Sequence, residues 1–431
     1  MRHTRRDWGS LGLTVPDIRL PAPGIDLTKW AVVACDQYTS EPDYWAQVRA
    51  LVGDAPSTYH ITFPEVYLAE GYGRVADIQA AMAAYRAQSV FAQALRGFVL
   101  VARQTQSGTR LGLVLAVDLE QYDFTPGAAS LIRPTEGTIL ARIPPRVRIR
   151  QGAPLETPHV MLLVDDPAHT VVAPLYAARA GLPALYDVAL MQGGGRLRGW
   201  AVTGDALCGV ADALEALRAQ AEGLLFAVGD GNHSLATARQ CWLDLRDTLT
   251  PAQRQAHPAR YALAELVNLH DPSLCFEAIH RVLFHVSPEA LLRDWRAYAA
   301  AQGIAWAAGE ARRDTPGMTM QALTFVAAGH EAAGTAVLPR GALILSPLQA
   351  FLDAYAAQHP AMEIDYIHGE EALRALCAAP DTAGFLLPAL DKADLFPAVR
   401  RGGVLPRKTF SMGEAREKRY YMECREILSG E

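Results

Sequence analysis

Apolar runs bounded by glycine turns alternate along this chain with segments of helical composition. Residues 98–102 and 111–117 are apolar and flank Ser107-Gly108-Thr109, the pattern of a β-hairpin. A second hairpin is predicted from residues 186–191 and 197–202 around Gly193-Gly194-Gly195. Residues 30–34 read as a buried strand leading into the polar run Cys35-Asp36-Gln37-Tyr38-Thr39-Ser40. Ser40-Glu41-Pro42-Asp43 then carries the signals of a helix start, with Trp45 and Val48 on one face. Helices are predicted over 75–95 and 210–221, and buried strands over 226–228 and 261–269. Past about residue 285 the pattern restarts. Residues 287–301 look helical, 318–327 and 334–338 pair around Gly329-His330-Glu331, and 343–345 lead into a helix over 348–358. The charged tail, 414–427, reads as a helix that only packs.

Hairpins mixed with strand–helix corners predict an α+β or mixed-sheet α/β protein of two lobes. The expected division is an N-terminal catalytic or ligand-binding α+β domain, 1–285, and a C-terminal α/β lobe, 286–431, that contributes to the site. The length agrees, because 431 residues exceed what one hydrophobic core sustains.

An apolar fraction of 50% with 20% charged residues is that of a soluble globular protein. The net charge of −6 disfavours nucleic acid as the main partner; the expected partner is a small-molecule substrate, and the reading admits a homodimer. The N-terminus, Met1-Arg2-His3-Thr4-Arg5-Arg6-Asp7, is basic but precedes no apolar run of signal-peptide length. With no membrane-length apolar stretch, the expected compartment is the cytoplasm and no membrane partner is expected. The six cysteines form no C-x-x-C pair, which disfavours a zinc cluster or a disulfide framework.

The most informative segment is Phe226-Ala227-Val228-Gly229-Asp230-Gly231-Asn232-His233-Ser234-Leu235-Ala236-Thr237. Its order is strand, tight turn, helix N-terminus. The first N–H groups of a helix lack intrahelical partners and carry partial positive charge, so such a corner suits a phosphate or carboxylate. Asp230 and His233 would add metal, proton or hydrogen-bond chemistry there. The same residues also make an ordinary helix cap.

Other constellations carry two readings each. Arg133 and Glu136, in Arg133-Pro134-Thr135-Glu136-Gly137-Thr138, form an anion fork with a base or a solvated surface pair. Residues 142–150 look like a basic strand with Arg146, Arg148 and Arg150 on one face, either solvated or lining an anion channel. Asn268, His270 and Asp271 follow an apolar strand, a usual address for catalytic groups and for turns alike. His368 is a site residue or a turn histidine. Arg407, Lys408, Thr409 and Ser411 make an anion clamp or an exposed loop. The chain has no P-loop, Rossmann glycine fingerprint, nucleophile elbow or zincin motif, which disfavours those enzyme classes.

These residues together resemble the DUF1015 family, bacterial and archaeal proteins whose function was long unassigned. The resemblance is carried by Asp36-Gln37-Tyr38, Thr135-Glu136-Gly137-Thr138 with Pro144-Pro145-Arg146, Gly229-Asp230-Gly231-Asn232-His233-Ser234, and Leu405-Pro406-Arg407-Lys408-Thr409. Many relatives carry Asp-Gly-His-His-Arg at the central corner, similar to free-serine kinases of the ParB/sulfiredoxin class, in which it holds nucleotide phosphates and the amino acid. The resemblance implies a ParB/sulfiredoxin-like corner and a nucleotide-dependent phosphotransfer to a small hydroxylated metabolite, free L-serine above others.

In that scheme Gly229, Asp230, Gly231, Asn232, Ser234 and Thr237 bind phosphate with Arg133, Arg407 and Lys408. Glu136, Asp36 and His233 are catalytic. Gln37, Tyr38, Asn268, His270 and His368 meet substrate, and Asp230 holds Mg²⁺ beside ATP or ADP. A silent nucleotide sensor and a phosphometabolite hydrolase are the alternatives. The chain departs from the kinase-like motif at Asn232 and Ser234, so the phosphate-binding cation is expected from Arg133 or Lys408. The stretch before Asn268 only loosely echoes the third ParB nucleotidase motif, with Val267 in the place of its glutamate.

Overall fold

A computed structural model describes residues 6–307 and 317–428, so Met1 to Arg5 of the basic N-terminus lie outside the described residues. The chain forms two compact units. The first comprises Met1–Pro134, Thr138–Leu274 and Glu414–Glu431; the second comprises Thr135–Gly137 and Cys275–Gly413.

The first unit is built on a nine-stranded mixed sheet. Its order runs Ile132–Pro134, Phe226–Asp230, Met161–Val164, Tyr261–Asn268, Gly108–Asp118, Phe98–Thr105, Arg196–Val202 and Ala184–Ala189, with Leu13–Thr14 also against Gly108–Asp118. Both expected hairpins form, Val99 opposite Val114 and Arg196 opposite Ala189. Two pairs are parallel, Phe226–Asp230 with Ile132–Pro134 and Tyr261–Asn268 with Met161–Val164. Side chains alternate across a sheet, so each central strand feeds two cores. Val99, Val101, Val114 and Ala116 join Trp30, Trp45 and Tyr421, while Phe98, Leu100, Leu113 and Leu115 join Leu235 and Trp242. Burial on both faces explains why these strands read as unbroken apolar runs.

The second unit carries a seven-stranded antiparallel sheet. Met318–Ala327 and His330–Pro339 form the expected hairpin, and Thr382–Leu386, Phe276–Phe284 and Glu363–His368 continue the sheet. Helices Pro288–Ala301 and Leu345–Gln358 lie where the periodicity predicts them, Ser287 capping the first through its side chain. Trp295 anchors an aromatic cluster with Phe351 and Phe385.

Four expectations are corrected. Residues 31–34 form no sheet strand. They follow the short helix Leu27–Trp30, and their backbone is satisfied by the C-terminal segment, Tyr421 N–H donating to Val32 and Ala34 N–H to Arg419. The expected basic strand is the helix Ile143–Arg150, because Pro144 and Pro145 fall in a first turn that needs no N–H donors. Arg146 and Arg150, four residues apart, pair with Glu65 and Glu156. The tail is no helix: after the turn Ala415–Glu417 it runs extended to Arg425–Glu426, which pairs with Leu155–Glu156. Its charges are held inside, Arg419 on Glu265 and Glu423, and Arg425 on Glu156. By the same division the tail expected in the second lobe belongs to the first unit, and the second unit takes Thr135–Gly137 and a main segment that begins at Cys275 rather than at residue 286.

Candidate functional site

Strand Phe226–Asp230 delivers Asp230 to the N-terminus of helix Asn232–Arg246, as the motif predicts. Of the two flanking glycines, Gly231 takes the left-handed conformation, with φ +77. A Cβ on Gly231 would lie 3.0 Å from Val160 Cα and 3.4 Å from His159 Cδ2, so this turn needs glycine for conformation and for space. The helix start has no side-chain cap. Asp230 Oδ2 instead accepts from Lys418 Nζ at 3.0 Å. Burial alone would raise its pKa, but the Lys418 charge and hydrogen bond outweigh it and hold the carboxyl below its ordinary value.

Around this pair lies a chain of polar contacts. Ser234 Oγ is 2.8 Å from His159 Nε2, and His159 Nδ1 is 2.8 Å from the Tyr421 hydroxyl. That hydroxyl accepts from Cys35 N–H at 3.0 Å. Asp36 Oδ2 stands 3.8 Å from His159 Nε2, and Asp36 Oδ1 accepts from Gln37 Nε2 at 2.9 Å. A cavity of about 160 Å³ opens onto Ser234, His159 and Tyr421. Among the described residues no group of three or more His, Cys, Asp or Glu side chains is arranged to hold a metal.

His233 is engaged by the backbone. Its Nε2 accepts from Ile139 N–H at 3.1 Å, which leaves Nδ1 as the proton-bearing nitrogen of the neutral ring. Burial first, then Arg146 and Arg142, push its pKa down to about 4. Thr237 donates to the His233 carbonyl within the helix. Arg133 lies on the neighbouring parallel strand opposite Ala227 and donates to Ser130. Tyr38 has φ +53 and stacks on Tyr44 at 3.7 Å.

Asn268 and His270 belong elsewhere. The register sets Asp230 opposite Met161, whereas Asn268 pairs with Val164 at the other end of that strand, roughly 10 Å away by strand rise. There Asn268 donates to the Asp166 carbonyl and His270 meets Asp165 at 2.7 Å, a separate polar group.

Glu136, Arg407, Lys408 and His368 fall in the second unit. Two expected motifs meet there, since Leu405 N–H donates to the Thr135 carbonyl at 2.7 Å and Glu136 bridges to Leu405. The Arg407 carbonyl accepts from the buried Arg281, whose pKa burial lowers to about 10. Lys408 adopts φ +57. His368 is exposed at a strand end, 3.9 Å from Glu277.

Sequence reasoning missed Lys418, His159 and Tyr421. His159 follows Thr157-Pro158 just before a strand, a legible signal; Lys418 sits in a tail that reads as a helix that only packs.

A profile of proteins of unknown function, DUF1015, matches residues 16–355. The chain belongs to the DUF1015 family. No curated protein matches this DUF1015 chain in sequence. Among solved structures it is similar to a conserved hypothetical protein from Pyrococcus furiosus, at 10% identity and a TM-score of 0.34, covering 73% of this chain and 95% of the other. It is also similar to a free serine kinase in complex with AMP, at 11% identity and a TM-score of 0.36, covering 73% of this chain and 91% of that one. A mutant free serine kinase in complex with ADP matches at 11% and 0.37, with coverage of 73% and 92%. No helix among the described residues is long and apolar enough to cross a membrane.

Proposed function

We propose that this protein catalyses nucleotide-dependent phosphotransfer to a small hydroxylated metabolite, with free L-serine as the acceptor. The observation that carries the reading is the Asp230–Lys418 pair at an uncapped helix N-terminus. An ionised carboxylate and a cation beside the main-chain N–H groups of a helix start supply the donors and the charge that a transferred phosphoryl group requires. Lys418 takes the place assigned to Arg133 or Lys408 as the corner's cation.

Asp36 is the base in this reading. Its Oδ2 stands 3.8 Å from His159 Nε2, and His159 also bonds to Ser234 on the helix that follows Asp230, so the two carboxylates share one neighbourhood. Mg²⁺ would arrive with the nucleotide phosphates and need only one or two of these carboxylates, the ordinary demand of a phosphate-bound magnesium ion. Held by them, it would neutralise charge on the nucleotide phosphates.

Isothermal titration with ATP and ADP in Mg²⁺ tests the reading, followed by a coupled assay with L-serine. Micromolar to millimolar nucleotide binding and phosphoserine formation are the expected results. Absence of nucleotide binding rejects it, and binding without turnover reassigns the site to a nucleotide sensor.

A further inference from the structure

We infer that Ser234 is a nucleophile activated by His159, and that it takes an acyl group from a small ester whose acyl chain lies in the adjoining cavity. The observation is the linear arrangement Ser234–His159–Tyr421, with both links 2.8 Å long. A hydroxyl within reach of a base, the base in turn oriented by a third group, is the arrangement that raises serine above its weak intrinsic reactivity. His159 is only 10% exposed, so the geometry is held by packing. The Tyr421 oxygen accepts from Cys35 N–H, and in this proposal it accepts from Nδ1–H of His159 as well. Nε2 is then the acceptor that faces Ser234. Burial drives the Cys35 thiol and the Tyr421 phenol upward, so neither competes as the nucleophile at neutral pH.

The cavity decides the class of electrophile. Ile61, Phe63, Ile78, Met82, Leu155 and Leu263 line it. Its two arginines are already spent, Arg146 on Glu65 and Arg150 on Glu156, at 2.5 Å each. An incoming phosphate would lose its water and meet no unpaired cation here, which is unfavourable, whereas a short apolar acyl chain meets apolar walls. Asp36, 3.8 Å from Nε2, stabilises the imidazolium that forms when His159 takes the proton.

The step balances as acyl transfer to water. Ser234 Oγ bonds to the ester carbonyl carbon as its proton passes to His159 Nε2. The carbon–oxygen bond to the leaving alcohol breaks, and His159 returns the proton to that alcohol. Water then attacks the acyl-enzyme, its proton goes by way of His159 to Ser234 Oγ, and the carboxylic acid departs. This activity goes beyond the phosphotransfer reading and does not rest on it.

The test uses the full chain with a fluorophosphonate probe and p-nitrophenyl butyrate. In labelling, the serine oxygen bonds to phosphorus as its proton passes to His159, the phosphorus–fluorine bond breaks, and fluoride leaves. Expected are labelling at Ser234 by peptide mass mapping, and butyrate hydrolysis that disappears in Ser234→Ala. His159→Gln slows both by about a hundredfold, the usual contribution of a positioned base. Failure of either reaction in the wild-type protein, or survival of either in Ser234→Ala, overturns the inference. Nucleotide titration on the same preparation reads the phosphotransfer proposal separately, because ATP binding without labelling removes only this inference.

Discussion

Lys418 Nζ stands 3.0 Å from Asp230 Oδ2, and both side chains are largely shielded, at 15% and 26% exposure. This pair joins the last stretch of the chain to its central motif. Replacing Lys418 by Met leaves a shielded carboxylate without its partner, which costs about 1–3 kcal/mol of stability. Under the proposed function it also weakens nucleotide binding by about tenfold or more, the loss of one charge-assisted contact. Urea unfolding and calorimetric titration of the variant measure the two effects. A variant that binds as tightly as wild type removes Lys418 from the site.

The same pair has an acid signature. Asp230 has a folded pKa below its unfolded value of 3.8, so its stabilisation is present above that value. It is lost as pH falls through the lower, folded pKa. Melting temperature against pH in the wild type therefore carries a loss below about pH 4 that Lys418→Met lacks. Parallel curves for the two proteins contradict the pairing.

His233 titrates with its own sign. Its folded pKa of about 4 lies below the unfolded 6.5, so the unfolded chain binds the proton more readily. The stabilisation is complete above pH 6.5 and disappears as pH falls from 6.5 towards 4. His233→Ala flattens stability across that window and costs about 1–3 kcal/mol at pH 7, because Ile139 N–H loses its acceptor. Residual activity that follows the folded fraction assigns His233 to the scaffold.

Gly231→Ala meets two obstacles at once, φ of +77 and a Cβ 3.0 Å from Val160 Cα. The left-handed conformation alone costs about 1–2 kcal/mol, and the contact adds to it. Differential scanning calorimetry should record a lower melting temperature. An unchanged one means that the turn adjusts.

Arg419 is buried between Glu265 and Glu423. Their charges raise its pKa against the burial that opposes it. Arg419→Leu strands two buried carboxylates, and breaking such a pair costs about 3–5 kcal/mol. A urea midpoint equal to that of wild type would exclude the network from the fold's stability.

The corner around Asp230 was readable from residues 226–234 because each step is local: an apolar strand, a left-handed glycine, a helix start. The hairpins were readable for the same reason. The helix Ile143–Arg150 reads as a strand because Arg146, Arg148 and Arg150 alternate, although Pro144 and Pro145 suit a first helical turn. Lys418 and Arg419 lie in a tail that reads as a packing helix until its distant partners, Asp230 and Glu265, are known. Those partners are set by sheet register, Asp230 opposite Met161 and Glu265 opposite Met161 on its other side. No periodicity within the tail encodes that.

Because the residues from Glu414 onward complete the first unit, synthesis order acquires a meaning. During translation the strand bearing Asp230 emerges early, yet its ammonium counterpart leaves the ribosome only after the entire second unit has been made. The corner is therefore completed late, by residues that follow the second unit along the chain.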